Sequence, residues 1–391
     1  MLVKKIKKII LEKRLFKSIV KELYPYLVGF FVFFFSKQNK NIKIHTSKLI
    51  KPNKDDLDLG NRIFKSFKLM KEAQKNSNKI YKPSSLWQNH LDNDFDVMSK
   101  SLKTNDIDKF CFFLTNFGNW KKYLGIENQN KIRKYNSNII LRSFLKKKIF
   151  EKQLKIWRFF LNSKNHISEL NLPKFGNQIG AEIDGNFLVE GSFFNHFYAD
   201  LLSNFIQDKD RPIIADLGAG YGKLAYYILK NKNKFCFIDF DLPETLCLAS
   251  YYLIKIWPEK KSFLYGENNF TNNILKEYDL IFLPNFEIEK IQSNTIDLFI
   301  NKNSLGEMKP ETSKEFIKNI CNISNIFFHM NHESFRNKFE DGSNSLINEE
   351  YPVTKDFKLM FRHPDFGHII NQNLYLDSES DIFAYLYKKI N

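Results

Sequence analysis

A chain of 391 residues that is 43% hydrophobic and 16% aromatic has room for one large folded domain or two ordinary ones, and its composition excludes a long disordered chain. Its formal charge of +16 invites nucleic acid, yet only eight of the 60 basic residues are arginine, the side chain favoured for base readout and bidentate phosphate contacts. Nucleic acid is therefore not expected as a partner, and four scattered cysteines (Cys111, Cys236, Cys247, Cys321) without a CxxC pair fit neither a zinc site nor a disulfide framework.

Residues 1–22 carry eight basic and two acidic side chains, with apolar positions at helical spacing. This is a basic amphipathic helix, which can dock on the protein's own core or lie in a membrane interface. The apolar run Leu23 to Phe35 is broken by Pro25 and Gly29, and is too short to cross a bilayer of ~30 Å as a helix. No small-residue cleavage site follows it, so a signal peptide is not expected. The chain is placed in the cytoplasm, with the N-terminal helix offering a peripheral contact to the inner face of the membrane. Residues 1–56 form this segment and a polar linker, with Lys51 to Asp56 read as loop.

From 57 to 175 the pattern is helical: Ile63, Phe67, Met70 and Ala73, then Ile107, Phe110, Cys111 and Leu114, then Ile139, Ile140, Phe144 and Ile149. This region is expected to supply acceptor contacts or a homodimer interface. A polar stretch, Asn162 to Gly180, marks the boundary with residues 176–391. There strands are predicted at 212–217, 235–240, 279–284, 297–300, 325–330, 357–361 and 382–387, with helices at 221–230, 243–256 and 313–321. Alternating strand and helix implies a parallel sheet, closed by an antiparallel hairpin at one edge.

The segment Ile213 to Gly222 leaves a strand and enters a helix through Gly218, Gly220 and Gly222. Glycines at alternate positions let the backbone turn tightly and approach a ligand where a Cβ would collide. A nicotinamide dinucleotide site wants G-x-G-x-x-G, but the third position of that pattern is Lys223 here. An acid, Asp216, precedes the first glycine. The D-x-G-x-G-x-G form resembles motif I of class I S-adenosylmethionine-dependent methyltransferases. In that family the acid helps hold the methionine amino end and the glycines pack on the methionyl and ribosyl part.

The next strand ends at Asp239 and Asp241, where an acid can accept both hydrogen bonds of a ribose diol. Asp241-Leu242-Pro243 looks like the D-L-P step of small-molecule O-methyltransferases, so Asp241 is the favoured ribose acid and Asp239 the second choice. Asn285 and Phe286, just past the third strand, fall where that class flanks the adenine; Phe286 as ordinary core is the competing reading. Further on, Asp297 to Met308 contains Asn301-x-x-Ser304-x-x-Glu307-Met308, and the strand Phe327 to Met330 ends at Asn331. These resemble the sugar O-methyltransferase family of bacterial surface-polysaccharide loci, over about residues 175–391. The resemblance implies an α/β fold with a Rossmann-like seven-stranded methyltransferase sheet behind a helical N-terminal region. It also implies S-adenosylmethionine as cofactor and a saccharide or glycan precursor as acceptor.

A sugar hydroxyl must be aligned with the methyl group and lose its proton, for which a general base typically contributes ~10²–10⁴-fold. Glu307 and His332 follow the fourth and fifth strands and are both candidates, since Gly306 stands where plant phenolic O-methyltransferases have a histidine. Capping a helix or orienting Asn301, a further candidate cofactor contact, is the competing reading of Glu307. His196 and Tyr198 are read as packing the domain junction. Asp239, Glu307 and Asp341 lack ligand spacing, so no metal is expected. The stretch Glu333 to Pro352 is a lid candidate. Two rivals remain: methylation of a phenolic or polyketide metabolite in an apolar cleft, and a non-catalytic glycan- or partner-binding module.

Overall fold

The computed structural model describes residues 42–45, 48–122, 124–125, 140–161, 166–189, 191–367 and 381–390. The basic helix and the apolar run expected before residue 36 lie outside the described residues. Among the described residues no helix is long and apolar enough to cross a membrane.

The helical region is built from α1 (Lys54–Asn76), α2 (Ser85–Asn93), α3 (Asp96–Thr104), α4 (Ile107–Asn116) and α5 (Ile140–Phe160). Helix α1 begins inside the stretch read as loop. Asn53 accepts a hydrogen bond from the Asp56 amide at 2.9 Å, and Asp56 accepts one from the Asn53 amide at 3.0 Å. This reciprocal cap satisfies two amide groups that a helix start otherwise leaves open. Ile63, Phe67 and Met70 share one buried face of α1, and Phe64 and Phe67 close on Phe110 of α4 with ring centroids 5.1 and 5.8 Å apart. Burying each such ring stabilises the fold by about 1.5–3 kcal/mol.

A small antiparallel sheet joins β1 (Ile42–His45), β2 (Gly180–Ile183) and β3 (Asn186–Leu188) in that order. Its hairpin turns on Asp184 and Gly185, both at positive φ (48° and 79°). Asp-Gly is the residue pair that a two-residue turn with positive φ at both positions selects.

The main sheet contains β4 (Ile213–Leu217), β5 (Cys236–Asp241), β6 (Ser262–Leu264), β7 (Leu280–Pro284), β8 (Leu298–Lys302), β9 (Ile326–His332), β10 (Phe357–Pro364) and β11 (Ile382–Lys389). Their spatial order is β10-β11-β9-β8-β4-β5-β7-β6. The strands from β6 to β9 pair in parallel, and β10 and β11 close the other edge antiparallel. The fold class read from the sequence holds, with eight strands in place of seven. The addition, β6, is only three residues long and gives no periodicity to read. Arg62 of α1 covers this edge, donating to both oxygens of Glu267 (2.6 and 2.9 Å) and to the Ser262 hydroxyl and carbonyl (2.9 and 2.8 Å).

Helices α6 (Ser192–Ser203), α7 (Lys223–Leu229), α8 (Pro243–Ile256) and α9 (Pro310–Ile323) complete the layers. Alternate residues of each strand enter opposite cores: Ile214, Phe237, Leu280 and Phe282 belong to one, Ala215, Ile238, Ile281 and Leu283 to the other. The chain passes from β4 to β5 on one side and returns as β8 on the other. The crevice at the carboxyl ends of β4 and β8 is therefore the place where open α/β sheets bind ligands.

Candidate functional site

A cavity of about 830 Å³ opens at that crevice. It is lined by the bend Asp216 to Tyr221, by Asp241, Leu242, Thr245 and Asn285, and by Trp87, Phe194, Asn195, Lys302, Asn303 and Glu307. Gly218, Gly220 and Gly222 have φ of 84°, 66° and 87°, in the left-handed region that only glycine enters cheaply. A Cβ on Gly218 would stand 2.7 Å from the Ser304 hydroxyl, and one on Gly222 would stand 2.8 Å from Leu253. Glycine is thus required at 218 and 222 by backbone conformation and by space, and helix α7 starts at Lys223, two residues later than the sequence predicts.

The register of β4 against β5 sets Asp216 beside Asp239, and Asp241 follows on the same face. One oxygen of Asp216 and both oxygens of Asp239 are buried without a hydrogen-bond partner. Burial pushes the Asp216 carboxyl up to about 8, opposed by the Lys302 ammonium and reinforced by Asp241. Burial likewise raises Asp241 to about 7, against hydrogen bonds from Thr245 and from the Leu242 and Gly220 amides. Asp239 is driven still further up by burial and by its two acidic neighbours. Three acids beside the glycine bend make a poor seat for pyrophosphate and a good one for a cation or a diol.

Of the residues singled out from sequence, Asp216, Gly218, Gly220, Asp241, Asn285 and Glu307 line the cavity. Gly222, Asp239, Phe286, Asn301 and His332 are not among its lining residues. Asn285 donates to the Tyr81 carbonyl at 3.1 Å, which leaves its own buried oxygen without a partner at the wall. Phe286 instead packs edge-on against Tyr265, at 6.2 Å between centroids. Asp239 stands behind the wall, so Asp241 is the acid that reaches the cavity.

Asn301 is fully buried and has a different task from a cofactor contact. Its amide donates to the Leu217 carbonyl at 2.9 Å and to Ser304, and the Ser304 hydroxyl donates to the same carbonyl at 2.8 Å. Asn331 donates to the Asn301 oxygen at 3.0 Å and accepts from the Gly306 amide at 3.1 Å. The Asn-x-x-Ser-x-x-Glu spacing is therefore a clasp. It ties the loop before Glu307 to the carbonyl immediately ahead of Gly218.

Glu307 is half-buried on the cavity wall. The Trp87 indole donates to its Oε2 at 2.7 Å, and the Ser84 hydroxyl donates to its carbonyl at 2.9 Å. Burial raises its carboxyl above the ordinary glutamate value, while the Trp87 hydrogen bond and the charge of His90 pull it down. His332 pairs through Nδ1 with Asp381 at 3.0 Å and clasps the end of β9 to the start of β11. Its placement away from the wall is a correction to the sequence reading, because β9 runs on through His332, past the strand end predicted at 330.

His196 is buried, accepts the Trp157 indole N–H at 3.3 Å and is held neutral by burial, its value lowered to about 4. Tyr198 donates to Asp365 at 3.3 Å and accepts from the Phe366 amide at 2.9 Å. Within Glu333–Pro352, Arg336 grips both oxygens of Glu350, and Asn337 donates to the Gly306 carbonyl at 2.8 Å. That stretch braces the Gly306–Glu307 corner from behind, and none of it lines the cavity. Asp341 pairs with Lys309.

Several lining residues escaped the sequence. Lys302 donates to Asn195 at 2.9 Å and lies 4.9 Å from the Phe194 ring centre. It sits inside the Asn301–Ser304 motif and could have been singled out there. Trp87 is 220 residues from Glu307 and Ser84 is 223 away, so no local spacing signals either contact.

No family model matches this sequence. Over 142 residues the chain is 32% identical to a Candida glabrata protein named tRNA wybutosine-synthesizing protein 4. The match takes in 31% of this chain and 21% of that protein, so the chain spans about a fifth of the length of the relative it matches. Among solved structures, the methyltransferase domain of bacterial CtHen1 is 11% identical, with 50% of this chain and 99% of that one aligned at a TM-score of 0.34. Magnesium protoporphyrin IX methyltransferase from Synechocystis PCC 6803, with bound SAM, is 9% identical over 51% and 82% at 0.33. The mitomycin 7-O-methyltransferase is 11% identical over 50% and 56% at 0.32. None of these TM-scores reaches 0.5, and the site's own geometry has to carry the functional conclusion.

Proposed function

We propose that this chain transfers a methyl group from S-adenosylmethionine to a hydroxyl of a saccharide. The observation that carries the reading is the side-chain-free bend at Gly218, flanked in the cavity by Asp216, with its unpaired buried oxygen, and by Asp241. A sulfonium nucleoside offers what these groups lack: an ammonium for Asp216, a ribose diol for Asp241, and an adenine amine for the free oxygen of Asn285. The cofactor would supply an electrophilic methyl group. The chain's share of the chemistry is to hold the acceptor oxygen in line, exclude water and take the proton on Glu307. The rest of the lining mixes rings (Trp87, Phe194) with amides and charges (Asn195, Asn303, Lys302, Asp365), which suits a sugar better than an apolar phenol.

Calorimetric titration of the full chain with S-adenosylmethionine is the test, and no measurable binding would remove the reading. Affinity is expected to rise with pH as the raised carboxyls of Asp241 and Asp216 release their protons, and to fall again once the ligand's own α-ammonium, ordinarily near pH 8, is lost. A ligand cation favours the charged carboxylates, so protonated acids must weaken binding; an affinity flat across that range would contradict the assigned contacts. Gly220→Val is expected to cost at least ~100-fold in affinity, about 2.7 kcal/mol, because a β-branched residue at φ 66° is strained and would add bulk to the cavity lining. Circular dichroism should show the fold retained.

A further inference from the structure

We infer that Trp87, supplied by the helical region, is a positioning residue for Glu307, its indole N–H fixing one carboxylate oxygen while the other is left to the acceptor. The inference rests on the methyltransferase reading only in taking Glu307 as the base.

The geometry is over-determined in a way that core packing does not require. Ser84 caps the start of α2, accepting from the Trp87 amide at 3.4 Å, and the same hydroxyl donates to the Glu307 carbonyl. One serine thus fixes both the helix that carries the indole and the backbone of the acid. A Cβ on Gly125 would stand 2.6 Å from the benzo edge of Trp87, so that glycine lets the ring lie close against the chain. The N–H end is taken by Glu307 Oε2, while Oε1 has no hydrogen bond among the described residues. A carboxylate hydrogen-bonded on one oxygen loses its freedom to rotate and presents the other in a single direction, which is what proton abstraction needs.

Other charges surround the pair. His90, bonded to Asp94 at 2.8 Å, lies 5.8 Å from the Trp87 ring; Lys309 and Glu311 follow Glu307; Lys79, Lys82, Lys302 and Asp216 line the same cavity. Behind Gly306 stands His332. His90 is the neighbour of the Trp87 ring that the test has to separate from Glu307.

Because the acceptor is unidentified, the test uses tryptophan emission of the full chain between about pH 4.5 and 8.5, in the wild type and in Trp87→Phe, Glu307→Gln and His90→Gln. The wild type is expected to show a transition centred above the ordinary glutamate value. It should vanish in Trp87→Phe and Glu307→Gln and persist in His90→Gln. A transition that survives in Glu307→Gln, or none in the wild type, overturns the inference. Should Trp87→Phe fail to fold, the Glu307→Gln and His90→Gln comparison still decides. S-adenosylhomocysteine binding, measured by calorimetry, should agree within about twofold between wild type and Trp87→Phe; loss of binding in the variant would assign Trp87 to the cofactor side and overturn its role on Glu307. A wild type that binds no S-adenosylhomocysteine fails the methyltransferase reading, whereas binding without the transition fails only this inference.

Discussion

Replacing Glu307 by glutamine is expected to lower kcat for methyl transfer to a saccharide hydroxyl by about 10²–10⁴-fold, with the Kd for S-adenosylmethionine changed by no more than about twofold. Glutamine keeps the shape of the side chain, and its carbonyl oxygen can still accept the Trp87 N–H that now meets Oε2. What it cannot do is take a proton. Glu307 lines the same cavity as the glycine bend, whereas His332 is bound to Asp381 outside the lining. Radiolabelled methyl incorporation into a panel of saccharides measures the effect. A loss below tenfold would move the proton to another lining acid, with Asp365 the next to test. The sign of the pH dependence follows from burial, which holds the Glu307 carboxyl above its ordinary value. The base exists above that value, so kcat should fall as pH drops through it, at a higher pH than an exposed glutamate would give.

The parts of this architecture visible in sequence are those written in local spacing. Strand β4 and its three glycines are consecutive and the acids of β5 follow close behind, and the near-continuous burial along Ile213–Leu217 and Cys236–Asp241 is that of parallel strands covered on both faces. The closing hairpin β10–β11 was likewise readable, since both strands are eight residues long. The three-residue β6 was not, and neither was the hairpin β2–β3, although its Asp184-Gly185 pair is a turn signal in its own right. At the site, the sequence placed Asn301 on the cofactor because a motif shows which residues recur together and cannot show which way they face. Its amide is spent on Leu217 and Ser304. The acceptor wall was the least legible part, since Trp87 and Ser84 reach Glu307 only after α1 and α2 have packed on the sheet. Contacts spanning more than 200 residues leave no periodicity in the chain.

How firmly that helical region is joined to the sheet sets the second large effect. Asp56→Ala is expected to destabilise the protein by about 3–5 kcal/mol, the usual cost of removing one partner from a buried ion pair. Asp56 is 6% exposed and fully engaged: Tyr251 donates to Oδ1 at 2.7 Å, the Lys255 ammonium lies 2.8 Å from the same oxygen, and the Asn53 amide donates to Oδ2. Alanine would leave the half-buried Lys255 and the buried Tyr251 of α8 facing an apolar methyl and would also open the cap of α1. Burial alone would raise the Asp56 carboxyl, but Lys255, the Asn53 amide and Tyr251 outweigh it and hold the value below the ordinary aspartate range. The stability from this group is therefore complete above the unfolded value of about 4 and is lost as pH falls through the lower folded value. The alanine variant should lack that part of the acid limb. Urea unfolding followed by far-ultraviolet circular dichroism and by tryptophan emission is expected to give one coincident transition in both proteins, shifted to lower urea in the variant. If the helical region instead melted first while S-adenosylmethionine still bound, the α1–α8 contact would be a detachable dock, and Trp87 could not be held against Glu307 through it.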